Sequence, residues 1–260
     1  MTKFQKVALA ALISVILLIF VGAIVRVTGA GMGCPDWPRC WGCLIPPTSV
    51  EDVDFSKLDI ETFRRKAERA GRDPSTITLE SLREEFNPVH TWTEFINRLC
   101  SLPVGMFTLI TCIAGFFQIR HGRPGVAVAG VLALVIVLVN AWMGARIVYS
   151  GLKPGVITTH MALALLLVCV QVYVVWRGCD DPWRRKFVKG AAGLRVLGMA
   201  LLVVTLAEGV LGSQVREMTD EMAKSHLGEA RSAWTAELEG QVLYLAHRSF
   251  SWVLVAGAGV

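Results

Sequence analysis

The sequence predicts an all-α, polytopic membrane helical bundle. Three observations carry this. Hydrophobic residues make up 53% of the 260-residue chain and the mean hydropathy is +0.52, too apolar for an ordinary soluble domain. Charged residues, 18% of the total, collect between apolar runs instead of mixing with them. Six runs, at about 7–27, 93–117, 125–147, 157–176, 193–213 and 241–260, reach roughly the ~20 residues that cross a bilayer. Such runs must be helical, because an isolated strand leaves its backbone polar groups unsatisfied in lipid.

The first run follows Lys3 and Lys6. From Val7 to Val25 it is longer than the apolar region of a signal peptide, and no small-x-small cleavage site closes it. It reads as a retained first helix. The second run contains Pro103 and Gly105, which a membrane helix tolerates and which can kink it. Residues 120–125, Arg-His-Gly-Arg-Pro-Gly, make the short turn into the third. Orientation follows from the basic residues. Lys3, Lys6, Arg120, Arg123, Arg177, Arg184, Arg185, Lys186 and Lys189 share one side if the six runs are six spans. The other short loop, 148–156, has only Lys153. The positive-inside rule then puts the N-terminus in the cytoplasm of a cell (inner) membrane and turns 28–92 and 214–240 outward. The net charge of +5, 26 basic against 21 acidic residues, has the same origin. No basic stripe with interleaved aromatics appears, so nucleic acid is not an expected partner.

The outer segment 28–92 is long. Ile60, Phe63 and Ala67, then Leu79, Leu82 and Phe86, recur at helical spacing. They suit two short amphipathic helices over 60–70 and 78–86, split by Gly71 and Pro74. The simplest reading is a solvated hairpin capping the outer mouth; the other is a partner-binding site. A faint internal repeat divides the chain. Gly22–Arg26 ends the first run as Gly212–Arg216 ends the fifth, and Glu94–Arg98 opens the second as Tyr244–Arg248 opens the sixth. Two copies of a four-helix unit give this pattern. Residues 1–176 are then a complete N-terminal half and 177–260 a partial C-terminal half.

Ionisable groups inside spans are costly and usually functional. Here Glu94 and Arg98, His160, His247 and Arg248, and the terminal Arg26 and Arg216 all fall within roughly 10 Å of the outer boundary at 1.5 Å per residue. A single membrane histidine is more often a polar contact between helices. Two at matched depth among arginines point to a heme site: imidazole is a usual axial ligand of heme iron, and the macrocycle fits between packed helices. Arginine suits the propionates. Glu94 has two readings. It pairs with Arg98 one turn on, or within a heme pocket it takes a proton or stabilises developing positive charge. Glu208, inside the fifth run, faces the bundle interior or a partner.

Cys34, Cys40 and Cys43 lie just past the first run, on a face where thiols can be oxidised. A Cys34–Cys40 bridge would leave Cys43 over. Zinc lacks a fourth nearby ligand. Cys100, Cys112 and Cys169 read as small apolar fillers within spans, and Cys179 as a cytoplasmic residue with no evident role.

These residues resemble the heme A synthase family. Gly22–Met32 followed by Cys34-Pro35-Asp36-Trp37-Pro38 is similar to that family's first helix end and outer loop. Asn87–Arg98 is similar to its second-helix entry, where the family carries Glu-x-x-His-Arg. Gly144-Ala145-Arg146, Thr159-His160 and Ala246-His247-Arg248 match later motifs, so the resemblance covers nearly the whole chain. It implies an eight-helix protein of two four-helix halves, a membrane oxidoreductase that converts a methyl group of heme O to a formyl group by successive hydroxylations for cytochrome oxidase biogenesis. It implies heme O as substrate, supplied by heme O synthase, a relaying heme b as cofactor and an unidentified electron donor, in a lipid bilayer; whether the chain forms a homo-oligomer stays open. By position it makes Glu94 the catalytic carboxylate, His160 a ligand of the substrate heme and His247 a ligand of heme b. Arg26, Arg98, Arg216 and Arg248 become cofactor-binding residues, and Cys34 and Cys40 the outer-loop disulfide pair.

Two departures qualify the match. Asn97 stands where the family has its second-helix histidine, and His90, seven residues and about 10 Å away along a helix, is the substitute ligand to consider. The chain also stops inside its sixth run, which reads as a fragment lacking helices seven and eight in preference to a second half completed by another subunit. Two other functions compete: a membrane b-type cytochrome that only carries electrons, and a thiol-oxidising membrane protein acting through Cys34 and Cys40.

Overall fold

The computed structural model describes residues 1–69, 73–152, 154–178, 191–226 and 229–258. The described residues are helical, with no strand beyond one isolated bridge between Cys40 and Cys43. The helices are α1 (Lys3–Val27), α2 (Ile60–Arg69), α3 (Leu79–Glu85), α4 (Pro88–Gln118), α5 (Pro124–Tyr149), α6 (Pro154–Arg177), α7 (Ala191–Ser225), α8 (Arg231–Gly240) and α9 (Val242–Ala258). Five of them, α1, α4, α5, α6 and α7, are long and apolar enough to cross a membrane. The sixth expected run is α9, with 17 helical residues. The chain is therefore an all-α, multi-pass membrane bundle. Gly71, Lys153, Cys179 and the basic residues Arg184, Arg185, Lys186 and Lys189 lie outside the described residues.

Two helices run past the apolar stretches that announce them. α4 begins at Pro88, five residues before the expected 93. The Asn87 carbonyl oxygen Oδ1 accepts from the amides of Val89 and His90, and Pro88 fills the first position, where no amide is needed. α7 continues to Ser225 through a polar tail in which Arg216 pairs with Asp220 at 3.0 Å, one turn on. The described residues of 214–240 are thus largely helix, with Met222, Trp234 and Leu238 buried together and His226 stacked on Trp234.

The chain divides into two compact units, Met1–Val156 with Leu166–Pro182, and Ile157–Leu165 with Trp183–Val260. In the first, α1 and α5 each pack against α4, and small residues are buried on both, Ala8 and Ala11 on α1 and Ala127, Ala129 and Ala133 on α5. Small side chains let membrane helices approach closely, where apolar bulk alone gives no advantage over lipid. Gln171 donates to Thr108 at 3.1 Å inside this packing.

Segment 28–92 of the first unit carries the two expected short helices and a buried core of its own. Cys34, Cys40, Trp41, Val53, Leu58, Phe63, Ala67, Ile77 and Leu82 form one buried core, with Phe86 and Phe95 packed on it. Phe63 and Ala67 present one face of α2, Leu82 one face of α3. A reciprocal cap between Thr78 and Ser81 starts α3.

Candidate functional site

The site in the first unit is built from the loop after α1 and the outer turns of α4. Cys34 and Cys40 form a disulfide. The loop between them folds around Asp36, whose two carboxylate oxygens accept from the Trp41 amide at 2.6 Å and the Gly42 amide at 2.8 Å. Those bonds hold Trp41 at φ 54° and Gly42 at φ 76°. A tryptophan resists the left-handed region, and the carboxylate offsets the strain. The turn closes with paired amide bonds between Cys40 and Cys43, at 2.8 and 3.1 Å.

Side chains of α4 and of the loop fasten the two together. The Arg98 guanidinium donates to the carbonyls of Cys34 at 2.8 Å, Asp36 at 2.9 Å and Arg39 at 2.9 Å, and to Glu94 Oε1 at 2.5 Å. Glu94 Oε2 accepts from the Cys34 amide at 2.7 Å. The Trp41 indole donates to Gly33 O at 2.7 Å and Thr91 Oγ1 at 3.1 Å, and the Thr91 hydroxyl donates to Gly33 O at 2.9 Å. Gly33 itself lies so close to α4 that a Cβ would stand 2.2 Å from the His90 carbonyl oxygen. From the far side the Lys66 ammonium, on α2 and buried, donates to Pro35 O and lies 5.3 Å from the centre of the Tyr149 ring. The Tyr149 hydroxyl donates to Trp37 O at 2.8 Å.

Glu94 is buried and both its oxygens are engaged. Arg98, expected at a heme propionate, engages loop carbonyls and Glu94 through its two terminal nitrogens. Asn97 leaves its Oδ1 buried and without a hydrogen-bond partner, 3.7 Å from where a Cβ on Gly22 of α1 would stand. His90 sits half-buried in the first turn of α4 and Arg26 half-buried in the last turn of α1.

In the second unit, His160 is half-buried on α6, two residues after Thr158, which meets Ser213 at 3.2 Å and accepts from Gln214 at 2.9 Å. His247 on α9 has its Nδ1 2.8 Å from Glu208 Oε1 on α7. The two are at pairing distance without hydrogen-bond alignment. Ser251, one turn along α9, donates to the same oxygen. Arg216 pairs with Asp220, and Arg248 is exposed and lies over Tyr244. Among the described residues no group of three or more His, Cys, Asp or Glu side chains converges as a metal cage. The donor set offers single imidazoles, which is what iron already held in a macrocycle requires. His247 fits that role: a carboxylate stands at one ring nitrogen, and a third of the side chain is exposed.

Sequence reasoning missed Lys66, Asp36, Thr91 and Tyr149. Lys66 was legible, since it shares the face of Phe63 and Ala67 at helical spacing. Asp36 acts within its own loop, on the amides of Trp41 and Gly42, and Thr91 and Tyr149 are set by contacts with distant segments.

The fold and site define a multi-pass helical membrane protein with a disulfide-bonded loop domain clamped to one helix. The chain belongs to the family of cytochrome oxidase assembly proteins, whose family model matches residues 5–260. It is similar to the heme A synthase of Rickettsia prowazekii (strain Madrid E), 28% identical over 166 residues, 62% of this chain and 45% of the relative. It is similar to the heme A synthase of Listeria monocytogenes serovar 1/2a, 25% identical over 231 residues, 86% of this chain and 62% of the relative. The heme A synthase of Shewanella oneidensis is 24% identical over 171 residues, 64% and 43%. The chain spans about half the length of the curated relatives it matches. No solved structure matches it.

Proposed function

We propose that this chain is the heme-binding part of a heme A synthase, an oxidoreductase that converts a methyl group of heme O to a formyl group by successive hydroxylations. The observation that carries the reading is Glu94: an acid buried in a membrane helix, fixed on two sides, at the entry motif of the family. Each carboxylate oxygen keeps a second lone pair beside the one given to Arg98 or to the Cys34 amide. Glu94 is then the group that takes up a proton as the methyl group is oxidised, and Arg98 is its positioning residue. His160, with His90 as the substitute for the residue that Asn97 replaces, is the ligand for the substrate heme. His247 holds heme b, which when bound supplies one-electron transfer. Arg26, Arg216 and Arg248 are the propionate partners. Residues 1–176 form the substrate half and 177–260 part of the second half. Heme O synthase supplies the substrate, and the protein works as a homo-oligomer with an electron donor. It lies in the inner membrane with its N-terminus in the cytoplasm.

The test is Glu94→Ala and Glu94→Gln in the full-length protein. Both retain heme and stop formyl production; a normal yield of heme A overturns the assignment. A second reading, a b-type cytochrome that only carries electrons, is favoured by the complete pairing of Glu94. It predicts a pyridine hemochrome of heme b alone, with no heme A or alcohol among the extracted porphyrins.

A further inference from the structure

Glu208 is a carboxyl group inside a membrane span, 9% exposed. Such a group is expensive in lipid and marks a functional contact more often than not. It stands one turn before Gly212 on α7, so the two share a face. His247 and Ser251 are also one turn apart and share a face of α9. These two faces meet. The His247 ring lies against Gly212, where a Cβ would stand 3.0 Å from Cε1 and 3.4 Å from Nε2. Only a glycine there lets the imidazole lie this close to α7. The ring nitrogen Nδ1 reaches Glu208 Oε1 at 2.8 Å, and the Ser251 hydroxyl donates to that same oxygen while also bonding the His247 carbonyl at 3.0 Å. Glu208 Oε2 is buried with no hydrogen-bond partner.

We propose that Glu208 is the positioning residue of His247: it holds the ring proton at Nδ1, leaves the Nε2 lone pair for iron, and raises the basicity of the ligand. The proposal rests on the reading of His247 as a heme b ligand. The distance is already right and only the angle must change for a full Nδ1–H to carboxylate bond. A liganding histidine almost always donates its other N–H to such a partner, and the carboxylate makes the imidazole more electron-rich. An electron-rich ligand favours ferric over ferrous iron, so Glu208 lowers the midpoint potential of the heme. Ser251 acts in the opposite sense, because its hydroxyl draws charge from the oxygen that faces the ring. A plain interhelical glue would not require the glycine beneath the ring.

The experiment uses the full-length protein purified with its b-type heme. It reads heme content, the low-spin electron paramagnetic resonance signal and the midpoint potential. Glu208→Gln, which keeps the shape and loses the carboxylate, is expected to weaken heme retention about 10–100-fold. It also shifts the potential of the remaining heme upward and moves the low-spin signal. Ser251→Ala shifts the potential downward with full heme content. His247→Ala separates this proposal from the reading beneath it. If that variant keeps an unchanged b-type spectrum, His247 is not a ligand and both fall. If it loses the heme while Glu208→Gln and Ser251→Ala match the wild type in potential and signal, the ligand stands and the role of Glu208 is overturned. If Glu208→Gln does not assemble, Ser251→Ala decides alone, and an unchanged potential overturns the proposal.

Discussion

Replacing Arg98 with alanine should release the disulfide loop from α4 while leaving the membrane helices in place. The guanidinium makes three bonds to loop carbonyls, from Cys34, Asp36 and Arg39, and one to Glu94, and its side chain is 16% exposed against 6% for Glu94. Truncation leaves the Glu94 carboxylate with the Cys34 amide alone. Breaking a buried ion pair from one side costs about 3–5 kcal/mol, most of it the uncompensated charge left behind. At 1.4 kcal/mol per factor of ten, the population with the loop detached rises between about 100-fold and a few thousand-fold. The assay is the rate at which dithiothreitol reduces Cys34–Cys40 in detergent, read by alkylation and mass spectrometry. Both sulfurs are buried, so reduction must wait for detachment. Arg98→Lys, a point charge without the planar fork, should fall between wild type and alanine. The Glu94→Gln, Arg98→Ala double variant should be less sensitive than Arg98→Ala alone, because the stranded charge is gone. A rate within threefold of wild type for Arg98→Ala would show that the clamp does not hold the loop.

Trp41→Phe removes the indole donor while keeping most of the ring packing against Phe63 and Phe86. Gly33 O still accepts from Thr91, so the cost should sit near the low end of the range for a lost buried bond, about 1 kcal/mol, read as a small shift in a urea titration of the outer domain. Acid should loosen the outer domain before the bundle. The Thr62 hydroxyl and amide hold the Asp59 carboxyl below its ordinary 3.8, and the Ser75 amide does the same for Asp73. A depressed folded-state value means the stabilisation is full above 3.8 and disappears as pH falls through the lower folded value. Amide exchange at Thr62 and Ser75 should therefore rise in that window, and less so in Asp59→Asn with Asp73→Asn.

The spans were legible because lipid allows one solution. A run such as 125–147 has no other way to satisfy its backbone, and α5 occupies it almost to the residue. Helix ends were less legible, since hydropathy stops where the lipid does and hydrogen bonding does not. The tail of α7 to Ser225 needs only helix-forming residues and an Arg216–Asp220 pair. The start of α4 was written in Asn87-Pro88, a cap followed by the one residue that needs no amide partner. In the outer domain, the spacing of Phe63, Ala67 and Leu82 gave the two short helices and the faces they bury. Spacing also gave the Glu94–Arg98 pair. It could not give the Cys34 amide, which reaches Glu94 across 60 positions in the chain, or Glu208 beside His247, 39 positions apart. Long-range pairings of polar groups leave no periodic trace.

The geometry around Glu94 links two features that the sequence presents separately, the acid and the cysteine pair. One carboxylate oxygen is directed by the amide of Cys34 and the other by a guanidinium whose remaining donors grip Cys34, Asp36 and Arg39. Every loop atom that Arg98 and Glu94 contact belongs to the backbone. What Arg98 recognises is therefore the path of the chain between Cys34 and Cys40, not the identity of the side chains on it. That path is set by the disulfide and by the Asp36 carboxylate under Trp41 and Gly42. The orientation of the Glu94 carboxyl is consequently a property of the closed loop: any change that opens the loop withdraws the Cys34 amide and the anchors of Arg98 together, and the acid loses its fixed direction at the same moment.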